Sequence, residues 1–115
     1  VDPIPASIQF YLGPQGSGSP WHWHGDAWNA IAFGQKRWSL LPPAKAIFSN
    51  KHSYRAHFDI NDSSDDDDSD VKPLHCMQEA GDIIFVPAGW AHAILNTQET
   101  VGVASEFRYT FNHFV

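Results

Sequence analysis

Basic charge is scarce in this chain. Seven Lys and Arg stand against thirteen Asp and Glu, giving a formal net charge of −6. Six of the acids lie together between residues 61 and 70: Asp62, Asp65, Asp66, Asp67, Asp68 and Asp70. Taking those six from 13 leaves seven acids against seven bases, so the rest of the chain is neutral. A neutral body offers no basic face to a phosphate backbone, which argues against direct nucleic-acid binding. Cysteine is scarce as well: Cys76 is the only one, which excludes an internal disulfide and a Cys-rich zinc site. Long apolar runs are missing, so neither a membrane-spanning segment nor a secretory leader is expected. The start at Val1 makes an incomplete domain fragment one expectation. The compartment stays open, with an intracellular site (nucleus or cytoplasm) preferred to the ER lumen.

What is present supports one packed domain over 1–115, with 43% hydrophobic and 14% aromatic residues. Residues 61–70 read as an acidic, disordered insert, because clustered carboxylates repel and bury nothing apolar. A calcium loop ranks low there, since the run lacks the glycine and terminal Glu of an EF-hand. Elsewhere short alternating segments are broken by Gly, Pro and polar turns, which predicts an all-β fold. Strands are expected near Ile8–Leu12, Trp21–His24, Trp28–Phe33, Lys36–Leu41, Asp82–Val86, Ala91–Asn96 and Val101–Phe107. Gly34-Gln35 suits a two-residue hairpin between the third and fourth strands. Pro42-Pro43 ends the fourth strand, and a short helical turn is expected around Pro43–Phe48. Seven strands so spaced suggest a sandwich, jelly roll or small barrel.

Two stretches carry the chemistry. Gly16 is followed after five residues by His22-Trp23-His24, and Gly81 after five residues by Pro87-Ala88-Gly89, then His92 and Asn96. Strand alternation puts His22 and His24 on one face and Trp21 and Trp23 on the other. His92, on a neighbouring strand, supplies a third imidazole. Neutral imidazole suits Fe, Zn, Cu or Ni, and three ligands on one side leave open positions. An isolated histidine is more often a surface or core residue than a ligand; the glycine–proline frame around these three raises the metal reading. Asp26, in the turn after Gly25, ranks second to His24. His57-Phe58-Asp59 is a rival without a glycine frame, and His52, His75 and His113 read as structural or exposed. Trp28, Trp38, Trp90 and Phe85 are most simply core aromatics, and Asn96 reads as structural.

The two stretches resemble the two cupin motifs, the first without its usual downstream Glu. Within that superfamily the chain is similar to the Jumonji-C family, on Tyr11-Leu12-Gly13-Pro14, Ala27-Trp28-Asn29-Ala30, Gly34-Gln35-Lys36-Arg37-Trp38, Pro42-Pro43 and the run from Ala80 to Trp90. The resemblance covers about Phe10 to Phe107 and points to the small hydroxylase-like members. It implies a double-stranded β-helix, Fe(II) held by His22, His24 and His92, 2-oxoglutarate as co-substrate, dioxygen, and a protein or peptide substrate.

The resemblance places Asn29 near the iron-proximal carboxylate of 2-oxoglutarate and Lys36 on the distal one. In the expected hairpin Phe33 pairs with Lys36, Ile31 with Trp38 and Asn29 with Leu40. Asn29 and Lys36 then share a face about 13 Å apart, at about 3.3 Å per residue, a gap that a five-carbon diacid and an extended lysine could bridge. Arg37 faces out.

The chain departs from the family at three positions. His24 stands where a carboxylate is usual, which leaves a bound metal more cationic. Ala104 replaces a hydroxyl-bearing residue, and Glu106 stands where Asn is frequent and could repel the co-substrate. The alternatives to a dioxygenase are therefore a three-His cupin that does not use 2-oxoglutarate and an impaired interaction module.

Overall fold

The computed structural model describes residues 3–50 and 72–109. Eight strands lie among them: β1 (Pro3–Gly13), β2 (Gly18–His22), β3 (Ala27–Phe33), β4 (Gln35–Leu41), β5 (Leu74–Glu79), β6 (Ile83–Val86), β7 (Ala91–Asn96) and β8 (Thr100–Tyr109). They form two four-stranded sheets, ordered β1-β8-β3-β6 and β2-β7-β4-β5. Every pairing is antiparallel. The chain crosses between the sheets at nearly every connection, which is the double-stranded β-helix. Among the described residues no helix is long and apolar enough to cross a membrane.

Strand alternation sorts the side chains into layers. In β7, His92 and Ile94 point between the sheets while Ala91 and Ala93 point away. The inner layer holds Trp38, Val86 and Ile94, with Leu40, Ile84 and Trp90 packed against them. A second apolar cluster, Trp21, Leu41, Ala91 and Ala93, covers the other side of the second sheet and meets Ala46. At roughly 1.5–3 kcal/mol for each large buried apolar side chain, these clusters are the main cohesive term.

Several expectations are corrected. β3 and β4 are not a hairpin: β3 bonds to β6 and β8 in one sheet, β4 to β5 and β7 in the other. The pairs Phe33–Lys36, Ile31–Trp38 and Asn29–Leu40 therefore do not form. Gly34 is a corner between sheets, with φ +92°, and a Cβ there would collide with the Glu99 carbonyl oxygen. β2 ends at His22, so His24 lies in the following loop rather than on a strand. β5 was not expected; it is an edge strand with only Gln78 buried, so it shows little apolar alternation. The helical turn shrinks to a 3-10 turn over Pro43–Lys45. Of the expected core aromatics, Trp38 is deeply buried and Trp90 partly so, but Phe85 is 52% exposed on the outer face of the first sheet. The acidic run at 61–70, His52, His57, Asp59 and His113 lie outside the described residues.

Candidate metal centre

His22 ends β2 and faces His92 of β7 across a ladder pair. Their rings lie 4.2 Å apart between centroids, and the His24 ring lies 5.5 Å from His22 and 4.8 Å from His92. One ligating atom from each of the three falls within 4.8 Å of the others. Among the described residues this is the one His, Cys or carboxylate group so arranged.

The ring orientations are fixed by the main chain. Nδ1 of His22 lies 2.7 Å from the Pro20 carbonyl oxygen, that of His24 2.8 Å from Gly25, and that of His92 3.0 Å from Trp90. A carbonyl oxygen only accepts, so each Nδ1 carries the proton and donates it. In the neutral ring that leaves the lone pair on Nε2, the form a metal requires. Burial lowers the pKa of His22, and that of His92 is pushed down to about 4, again chiefly by burial. Both favour the neutral, ligating form.

The imidazoles line a cavity of about 230 Å³ between the sheets, together with Tyr11, Asn29 and Lys36. Asn29 and Lys36 reach it from opposite sheets, each at 5% exposure. Lys36 Nζ sits 4.9 Å from the centre of the Tyr11 ring, a cation–π contact. No carboxylate pairs with it among the described residues, and burial lowers its pKa. A buried ammonium without a counter-charge is costly, and an anion in the cavity would supply one. The Asn29 Oδ1 atom is also buried without a hydrogen-bond partner among the described residues. The donor set fits a transition metal, and Lys36 fits a carboxylate beside it.

Other expected site residues resolve differently. Asp26 turns its Oδ1 to the Ala88 N–H at 2.7 Å, away from the imidazole cluster. Asn96 donates to Ser17 Oγ at 2.9 Å and accepts from Thr100 Oγ1 at 3.0 Å, a structural knot at the cavity wall. Ala104 lines the cavity opposite Asn29 and offers no hydroxyl. Glu106 is not among the cavity-lining residues; its carboxylate accepts the Gly25 N–H at 3.1 Å. His75, exposed, bonds Ser39 Oγ at 2.8 Å.

Two residues of the site were not foreseen. Tyr11, paired with Gly102 on β8, lines the cavity. Gln78 is wholly buried, accepts from Trp38 Nε1 at 2.9 Å and donates to the Asn29 carbonyl at 2.9 Å, bridging the sheets beside the cavity. A lone buried glutamine on an unexpected strand leaves no sequence signal.

The JmjC domain, hydroxylase family matches residues 9–107. The 2-oxoglutarate and iron-dependent oxygenase JMJD4 of Danio rerio is 33% identical over 103 residues, covering 81% of this chain and 24% of that protein. JmjC domain-containing protein 8 of Mus musculus is 34% identical over 101 residues, covering 86% of this chain and 36% of that protein. This chain thus spans about a quarter to a third of the length of these two relatives. Among solved structures, the ribosomal oxygenase YcfD from Escherichia coli in complex with cobalt and 2-oxoglutarate superposes with a TM-score of 0.62 at 15% identity, covering 94% of this chain and 25% of that one.

Proposed function

The chain belongs to the JmjC hydroxylase family, and on that premise we propose that it is the core of an Fe(II)- and 2-oxoglutarate-dependent dioxygenase that hydroxylates a side chain of a protein substrate. The observation that carries this reading is the union of two features in one cavity. Three imidazoles present their Nε2 atoms together, and Lys36 stands buried in the same cavity with no carboxylate partner among the described residues. Similarity to an iron-dependent oxygenase supports it.

His22, His24 and His92 would hold Fe(II), which when bound supplies the redox chemistry that couples dioxygen and the keto acid to substrate oxidation. Lys36 would pair with the distal carboxylate of 2-oxoglutarate, regaining the counter-charge its burial denies it. Asn29 would hydrogen-bond near the metal end. Trp38, Val86 and Ile94 wall the cavity with apolar surface and keep its interactions in low dielectric. Dioxygen and a protein or peptide are the remaining reactants.

The test is succinate release from 2-oxoglutarate by the full-length protein, loaded anaerobically with Fe(II) and supplied with candidate peptides. Release that disappears in His92→Ala and requires a far higher 2-oxoglutarate concentration in Lys36→Ala is the expected result. Absence of turnover and indifference to Lys36 would reject it.

A second reading is favoured by His24 and Ala104: a three-His metalloprotein that does not use 2-oxoglutarate. It predicts retained metal, no keto-acid affinity, and properties unchanged in Lys36→Ala. His24→Asp separates the two, because a restored carboxylate should raise turnover only if the rest of the co-substrate site works.

A further inference from the structure

The loop that carries His24 is tied down from both sides. Gly89 N–H donates to the His24 carbonyl at 3.0 Å, and Phe107 N–H to the Asp26 carbonyl at 2.9 Å. Asp26 Oδ1 accepts from Ala88 N–H at 2.7 Å. At the centre is Gly25. Its carbonyl takes the Nδ1 proton of His24 at 2.8 Å, and its N–H is held by Glu106 Oε1 at 3.1 Å. Glu106 stands on β8 opposite Ala27, partly buried. A Cβ on residue 25 would stand 2.9 Å from Glu106 Oε1, so a side chain there would nudge the carboxylate outward.

We infer that Glu106 is a positioning residue of the metal centre. Its carboxylate, a charged acceptor, fixes the Gly25 backbone that orients the His24 ring. The inference rests on the reading of His22, His24 and His92 as ligands. A ligand carboxylate both places a charge and binds the metal; here the charge stands one residue beyond His24 and acts through the backbone. Partial burial limits its screening by solvent. Partners of this outer kind hold ligand rings in place, and their loss costs metal affinity about 10–100-fold.

The experiment uses Co(II) alone as the probe, on the full-length protein. Co(II) affinity is measured by chelator competition and the ligand geometry by the visible absorption of bound Co(II). Melting of the metal-free protein reports folding. Glu106→Ala should weaken Co(II) binding about 10–100-fold and shift the absorption bands. Glu106→Gln keeps an acceptor for Gly25 N–H without the charge; it should restore the bands and only part of the affinity. Gly25→Ala, which only crowds the carboxylate, should weaken Co(II) binding less than Glu106→Ala does. Unchanged Co(II) affinity and bands in Glu106→Ala would overturn the inference, as would Gln bands identical to those of Ala. His92→Ala separates the failures. If it abolishes Co(II) binding while Glu106→Ala does not alter it, only this inference falls. If the unsubstituted protein holds no Co(II), the metal-site reading falls with it.

Discussion

A histidine offers a metal whichever ring nitrogen lacks a proton, so the carbonyls that capture Nδ1 matter as much as the rings. Pro20, Gly25 and Trp90 each supply one, within two residues of the histidine they serve. Because these partners are main-chain atoms, the tautomer is set by local backbone geometry. His92 also carries a pH consequence. Its folded-state pKa is pushed down to about 4 by burial, against an ordinary 6.5. The unfolded chain therefore binds a proton in the interval where the folded chain does not. The contribution is intact above about pH 6.5 and is lost progressively as pH falls toward about 4. The interval is worth about 3 kcal/mol at about 1.4 kcal/mol per pH unit. Urea unfolding of the metal-free protein should show that acid-side loss, and His92→Asn should flatten it. A pH-independent midpoint across the interval would refute the assignment. Lys36 belongs to the same scale: Lys36→Met removes a buried cation that has no carboxylate partner among the described residues, so it should raise or preserve metal-free stability while greatly weakening 2-oxoglutarate affinity, read by urea midpoint and ligand titration.

At the scale of elements, the corner between β3 and β4 decides how the site is built. A hairpin through Gly34 would have put Asn29 and Lys36 on one sheet; the corner puts them on facing sheets, so the cavity lies between them. Gly34→Ala should destabilise the protein by more than about 2 kcal/mol, since it adds a left-handed backbone penalty to a collision with the Glu99 carbonyl. A loss much smaller than that on urea unfolding would mean the corner relaxes freely. Much was legible beforehand. Alternation located seven of the eight described strands, and the spacing of Gly16, Gly81 and the three histidines pointed to the three imidazoles that the fold brings together. Glycine at residue 34 marked a reversal, but a two-residue turn and an inter-sheet corner use the same residue. Only long-range pairing of β3 with β8 and β4 with β7 distinguishes them. β5 escaped notice because its register depends on β4 rather than on its own apolar pattern. The bonds of Glu106 and Gln78 span 81 and 49 residues of sequence, a separation no local pattern encodes.

The two sheets differ on their outer faces. Trp21, Ala91 and Ala93 on the second sheet are almost fully covered, whereas the outer face of the first sheet exposes several large apolar side chains. Ile8, Phe10 and Leu12 on β1 are 70%, 69% and 66% exposed, and Ile83 on β6 is 70% exposed. Register joins them into one strip, because Val103 pairs with both Phe10 and Ala30, and Ala30 pairs with Ile83. Isolated exposed apolar residues need no explanation, but a continuous strip across four strands exceeds what a soluble monomer ordinarily tolerates. Each Å² of it removed from water by association contributes about 25 cal/mol, against the entropy cost of bringing two copies together. The 115-residue chain by itself should therefore self-associate, and light scattering should show the mean mass rising with concentration. Phe10→Glu combined with Ile83→Lys should shift the distribution toward monomer. Both positions point away from the cavity, so the doubly substituted chain should bind Co(II) as the unsubstituted chain does. Persistent association of the double variant would place the adhesive surface elsewhere, while loss of Co(II) binding would show that the outer face and the cavity are coupled through the first sheet.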